Sequence, residues 1–240
     1  MRAVPVPAIL LLLAACAQAP RPPESFPSAL VRGTDDFEVT GDGSNAAWGK
    51  TEWIALRRRQ PEGAPYDTRF KILYSKTGLY VLMDGTDRKL TTTGRADFEN
   101  LWEEDVYEAF FWPDESEPLY FEYEISPLGF ELPILVPNNG GAFMGWRPWH
   151  YEKGRKVRKA TAALGGKREA GASVESWRAE FFIPYELLKG LKNIPPAPGR
   201  RWRANFYRMD YDGGARTQWD WAPVGPSFHE YRKFGVLLFE

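Results

Sequence analysis

The sequence predicts an all-β protein, a two-layer β-sandwich of jelly-roll type. Short alternating or aromatic-rich runs recur between Gly, Pro and Asp breakers, which is the pattern of a sandwich. Long helical periodicity is missing, so helices contribute little. Residues 34–240 form one unbroken stretch of about 200 residues without an internal repeat, a usual size for a single sandwich. Aromatic residues make up 15% of the chain, ten of them Trp, enough to fill a core and leave rings for a surface role.

Strands are expected at Thr51–Arg57, Arg69–Ser75, Leu79–Asp84, Glu104–Trp112, Leu119–Ser126, Ser176–Ile183, Arg201–Met209 and Phe234–Phe239. Turn chemistry separates them at Thr77-Gly78, Pro113-Asp114, Pro127-Leu128-Gly129 and Asp212-Gly213-Gly214. A single short helix is expected after Pro184, over Tyr185–Leu191, ending near Gly190. The segment Glu131–Gly171 reads as long loops around one or two strands.

The first residues read as a processed leader. Arg2 precedes an apolar run over Ile9–Ala15 that is too short to span a bilayer. The run ends in Leu13-Ala14-Ala15-Cys16, which resembles a bacterial lipobox. Residues 1–15 are thus expected to be a lipoprotein signal peptide, with Cys16 lipidated and residues 16–33 a Pro-rich tether. Cys16 is the sole cysteine, so the fold cannot rest on disulfides. The expected location is the bacterial cell envelope, anchored by lipid and facing the periplasm or the surface. Ala17 after the cysteine suits the outer membrane.

Charge is nearly balanced, 31 basic against 32 acidic residues, which excludes a charge-driven nucleic-acid binder. The charges are unevenly spread. Residues 101–129 mix many rings with Glu103, Glu104, Asp105, Glu108, Glu122 and Glu124. Strand alternation puts Val106, Glu108, Phe110 and Trp112 on one face, and Tyr120, Glu122 and Glu124 together on another. Arg201, Arg203, Asn205 and Tyr207 likewise share a face. An acidic row beside a basic row is the expectation for most of these carboxylates. Glu108 alternates with apolar residues and needs a partner, with Arg203, Arg208 or a metal ion as candidates.

Several motifs then occur in order: FEVTGDGSNAAW from Phe37 to Trp48, Leu79-Tyr80-Val81 leading to Asp84, and Trp102-x-x-Asp105-x-x-Glu108-x-Phe110. Next come Tyr120–Gly129, Trp177-Arg178-Ala179-Glu180 with Ile183-Pro184, and Trp202–Arg208. The last is Trp221-Ala222-Pro223 with Phe228-His229 and Phe234-Gly235. The series resembles the family 9 carbohydrate-binding modules, in their stand-alone bacterial form. The resemblance implies a jelly-roll sandwich, binding of an oligo- or polysaccharide without catalysis, and a sugar held between two Trp rings. By motif Trp102 is one ring; Trp221, Trp219, Trp146 and Trp149 are candidates for the other. Glu104, Glu108, Arg203 and Asn205 are the expected polar partners. The family's structural calcium finds no matching loop, so a metal and its ligands stay open, as does the oligomeric state.

Other classes find less support. Carboxylates are plentiful enough for a glycosidase pair, yet nothing singles one out. Ser/His/Asp chemistry has only His150 and His229 and no GxSxG. His229 reads as a structural hydrogen-bonder. A haem carrier would draw its axial ligands from Met83, Met144, Met209 and the two histidines. A structural envelope lipoprotein without ligand is the remaining alternative.

Overall fold

The computed structural model describes residues 25–139, 142–143, 145, 147–148 and 151–240. Cys16, the expected signal peptide, most of the expected tether, Met144, Trp146, Trp149 and His150 lie outside the described residues. The strands are β1 (Ser28–Gly33), β2 (Ile54–Ala55), β3 (Arg57–Arg58), β4 (Thr68–Tyr74), β5 (Gly78–Thr86), β6 (Val106–Trp112), β7 (Leu119–Ile125) and β8 (Glu131–Asn139). They continue with β9 (Ala142–Phe143), β10 (Arg147–Pro148), β11 (Arg158–Leu164), β12 (Ser176–Pro184), β13 (Arg201–Asp210), β14 (Thr217–Asp220) and β15 (Gly235–Phe239). One α-helical turn, α1 (Tyr185–Leu188), and four 3-10 turns complete the regular structure of the described residues.

Two sheets face each other as a β-sandwich. The first runs β10-β8-β7-β6-β13-β15-β1, with β14 sharing an edge of β13 with β15. The second runs β1-β4-β5-β12-β11, with β2 on β4. β1 belongs to both. Its residues Ser28–Val31 pair in parallel with β15, and Arg32 and Gly33 pair in parallel with β4. The expected tether therefore gives up Ser28–Gly33 to a strand that joins the two sheets.

The main core lies between the sheets. Inward residues of β6 and β13, such as Tyr107, Phe111 and Phe206, meet Phe70 of β4 and Trp177 of β12. Phe70 stacks on Phe206 at 3.8 Å and Tyr107 on Trp177 at 3.7 Å, pairs that cross from one sheet to the other. Such pairs add about 0.5–1.5 kcal/mol beyond burial itself. Each sheet is also covered outside. Trp48, with Phe37 and Val39, packs on Tyr80, Leu82 and Phe182 of the second sheet. On the first sheet, Leu101, Phe228, Tyr231 and Phe234 cover Phe110, Tyr120, Ile134 and Tyr207.

The seven long expected strands match within a few residues, and the first, Thr51–Arg57, splits into β2 and β3. The helix is one turn, because Lys189 is already extended and Gly190 sits at φ 112°. β8 and β11 fall where loops dominated the expectation. β8 carries Pro133 and Pro137, which usually exclude a central strand, and its far side bears only the two-residue β9 and β10. β11 (RKATAAL) is a half-exposed edge strand headed by Arg158 and Lys159, residues that discourage edge-to-edge pairing.

Candidate functional site: a carboxylate pocket on the outer face of the first sheet

Register decides which side chains meet on the outer face of the first sheet. Glu108 of β6 pairs with Glu124 of β7 on one side and with Tyr207 of β13 on the other. Phe110 pairs with Glu122, and Ile134 of β8 pairs with Glu122 from beyond. Three glutamates therefore share one patch of sheet. The expected basic row is not beside them: of the β13 arginines, Arg208 points inward to Asp87, and Arg201 and Arg203 sit at the far end of the strand beside Glu115. Like charges directly opposite each other are unfavourable, so the patch is held together by the surrounding fold.

Loops wall this patch into a pocket of about 360 Å³, within the range of small-molecule sites. One wall is Trp102, half-exposed on the 3-10 turn Leu101–Glu103. The other is the segment with Pro226, Phe228 and His229. Met209, Gln218 and the exposed Arg216 close the side toward β14.

The walls are anchored from below. Leu101 is fully buried, and Tyr211 donates its hydroxyl to the Trp102 carbonyl at 2.6 Å. Glu104 accepts from the backbone N–H groups of Thr93 and Gly94, and Asp105 accepts from those of Thr91 and Tyr211. Phe228 stacks on Tyr207 at 4.0 Å, with the Arg59 guanidinium 4.9 Å from its ring centre. Tyr120 and His229 share a hydrogen bond of 2.6 Å.

The electrostatics are unusual. Glu108, Glu122 and Glu124 are 1%, 3% and 1% exposed. Burial, then their mutual repulsion, pushes all three carboxyls well above the usual range. Arg216 is the cation that opposes this at Glu108. Burial lowers His229 to about 4, so its ring is neutral at pH 7 and its 3.8 Å approach to Glu122 is not an ion pair. Glu122 and Glu124 hydrogen-bond each other, and no other group among the described residues donates to their buried Oε2 atoms.

Two of the expected site residues, Trp102 and Glu108, come together here. The other five are elsewhere. Trp219 is 1% exposed between the sheets, its indole N–H donated to the Tyr66 carbonyl. Trp221 packs inward on Phe70 and Phe206. Asn205 is fully buried and ties down Ala222 through both backbone groups. Arg203 is held by the carbonyls of Arg232 and Phe234 and by Glu115. Glu104 supports the turn beneath Trp102. No second indole lines the pocket among the described residues, so the expected pair of facing Trp plates is absent there; Phe110 and Phe228 supply the other rings. Glu122 and Glu124 go unassigned in the sequence reading, although their phase with Glu108 and the lack of an in-phase cation on β7 are visible in it.

For a metal, the one tight group among the described residues is Asp87, Asp105 and Asp212, whose ligand oxygens lie within 4.8 Å of one another. Three carboxylates suit a hard cation such as calcium. Each already has protein donors, however. Asp212 accepts from Tyr66 and Thr91, Asp105 from two backbone N–H groups, and Asp87 from Lys89 N–H. The fully buried Arg208 bonds Asp87 at 3.1 Å and Asp210 at 2.7 Å. Burial still outweighs Arg208 at Asp87, raising it to about 7, and raises Asp105 to about 8. The residues present fit a closed ion network around an arginine better than a calcium site.

Fold and pocket together describe a β-sandwich with a carboxyl-lined pocket on one outer face. Residues 39–132 match the family described as "Carbohydrate family 9 binding domain-like", a span that includes Trp102, Glu108, Glu122 and Glu124. The resemblance drawn from the motifs is thus borne out. The fold is similar to that of a candidate carbohydrate-binding protein from Bacteroides uniformis, with a TM-score of 0.69, 19% identity, and 90% of this chain and 100% of that one covered. It is also similar to a family 9 carbohydrate-binding module from Caldicellulosiruptor kristjanssonii solved with cellotriose, at TM-score 0.62, 15% identity and coverage of 89% and 93%. The glucose complex of a family 9 module from that organism gives 0.62, 14%, 88% and 96%. A curated relative, the "UPF0462 protein C4orf33 homolog" of Danio rerio, is 25% identical over 147 residues, 57% of this chain. The chain spans about 60% of that relative's length.

Proposed function

We propose that this chain binds a saccharide in the pocket on the outer face of its first sheet and performs no chemistry on it. The observation that carries the reading is a half-exposed indole, Trp102, beside three deep carboxyl groups able to bond sugar hydroxyls. A pyranose offers C–H patches that lie on a ring and hydroxyls that donate to carboxylates. The family match over residues 39–132 and the sugar complexes of the Caldicellulosiruptor modules support it. Glu108, Glu122 and Glu124 stand on one wall, from adjacent strands of one sheet. A glycosidase needs two carboxylates flanking the scissile bond, so this arrangement favours binding over hydrolysis. The lipobox adds a second part: lipid on Cys16 holds the protein at the cell envelope, and the binding face reaches out on the residues between Cys16 and β1.

The test is a glycan array followed by calorimetry, with cellotriose among the first ligands. Saturable binding without release of shorter sugars is expected. Absence of binding to every plant, bacterial and algal glycan overturns the reading.

A further inference from the structure

Resting on the saccharide reading, we propose that the pocket selects an amino sugar, a saccharide unit whose free ammonium group sits among Glu108, Glu122 and Glu124.

The floor of the pocket holds more carboxyl groups than a neutral sugar requires. Glu124 lies directly across from Glu108, and Glu122 is two residues along the same strand on the same face. All three are more than nine-tenths buried and line the same cavity. Glu122 and Glu124 hydrogen-bond each other, and among the described residues no other group donates to their Oε2 atoms, a poorly satisfied state for buried carboxyls. A hydroxyl ligand could bond to them but offers no charge to favour their ionised form. Among the described residues the one cationic side chain lining the pocket is Arg216, at its exposed rim. His229, facing the glutamates from the covering loop, is neutral, and Tyr120 already engages it.

An ammonium group has three N–H donors and one positive charge. It would donate to these oxygens and favour the ionised carboxyls that burial and mutual repulsion disfavour. A bare divalent ion fits less well. Among the described residues only Asp87, Asp105 and Asp212 bring ligand atoms within 4.8 Å of one another, so the glutamates are spaced more widely than an ion requires. The neighbouring Trp102, Phe110 and Phe228 give the sugar ring an apolar surface. The raised carboxyls add a signature: an ammonium ligand favours their ionised form, so binding expels protons.

The experiment titrates the protein at pH 7 with three probes: a β-1,4-linked glucosamine tetramer, its fully N-acetylated counterpart, and cellotetraose. The glucosamine tetramer is expected to bind at least tenfold more tightly than cellotetraose, with proton release read from a binding heat that differs between buffers of different ionisation enthalpy. N-acetylation should abolish the gain. In the Glu122→Gln/Glu124→Gln variant, with its Tm confirming a folded state, the ratio of the two affinities should fall toward one. Equal or weaker binding of the amine overturns the inference, as does a preference that persists in the double variant or survives Trp102→Ala. Cellotetraose binding that is lost in Trp102→Ala, without any amine preference, would overturn the amino-sugar selection alone. Binding of none of the three also overturns it, and the wider array then decides the saccharide reading.

Discussion

Glu108 and Glu124 face each other across two hydrogen-bonded strands, in a position where neither has a strand cation. The sequence shows half of this: Glu108 alternates with apolar residues, which marks it as buried and in need of a partner. Glu122 and Glu124 look instead like a solvated acidic row, because a strand pattern cannot reveal that a distant C-terminal loop covers them. The sign of their pH effect follows from the raised folded values. The folded state holds these protons more tightly than the unfolded chain. Their contribution is therefore fully present below the ordinary value of 4.5 and lost as the pH rises above it. Glu124→Gln should raise stability at pH 8 by at least about 1 kcal/mol, or roughly 2–4 °C in Tm, and change little at pH 4. Thermal melts at the two pH values check this, and a destabilised variant at pH 8 refutes it. The tryptophans separate in the same way. Trp102→Ala removes a half-exposed ring and should abolish sugar binding with little loss of Tm. Trp221→Ala empties a core position and should cost about 3–5 kcal/mol in denaturant unfolding.

At the scale of elements, strands with clean alternation between Gly and Pro breakers were legible, as β4 to β7, β12, β13 and β15 attest. Those that break a local rule were not. β8 hides behind two prolines, β11 behind a basic run, and β1 inside a proline-rich stretch that reads as linker. β1 forms only because β15, more than two hundred residues later, and β4 offer it two parallel edges. The WAP motif was legible as a motif but not in its role. Its turn is a support: Asn205 on β13 accepts from Ala222 N–H and donates to Ala222 C=O, and Gly235 leaves room that a Cβ would take 2.5 Å from the Trp221 ring. Asn205→Ala should strand both backbone groups and cost about 2–4 kcal/mol in urea unfolding. An unchanged midpoint would show that water replaces the amide.

For the whole molecule, the ordered motif series was the strongest clue, since it ran across both sheets and named the architecture that the strands assemble. The second stacking ring was not legible, because Trp219 and Trp221 are as rich in motif context as Trp102 and differ only in the direction they point. The Arg208 network ties β13 to β5 and the chain following it, and it supplies its own positive charge. Chelator should therefore leave the melting temperature unchanged, whereas a drop restored by calcium would show that Asp87, Asp105 and Asp212 hold an ion. Cys16→Ser should move the protein from the membrane fraction to the soluble one, and unchanged fractionation contradicts lipidation. The most direct test of the account is a calorimetric titration of the best array ligand into the wild-type protein and into Trp102→Ala. Saturable heat in the first and none in an equally stable second is the predicted result; identical isotherms, or no heat from any glycan, would contradict it.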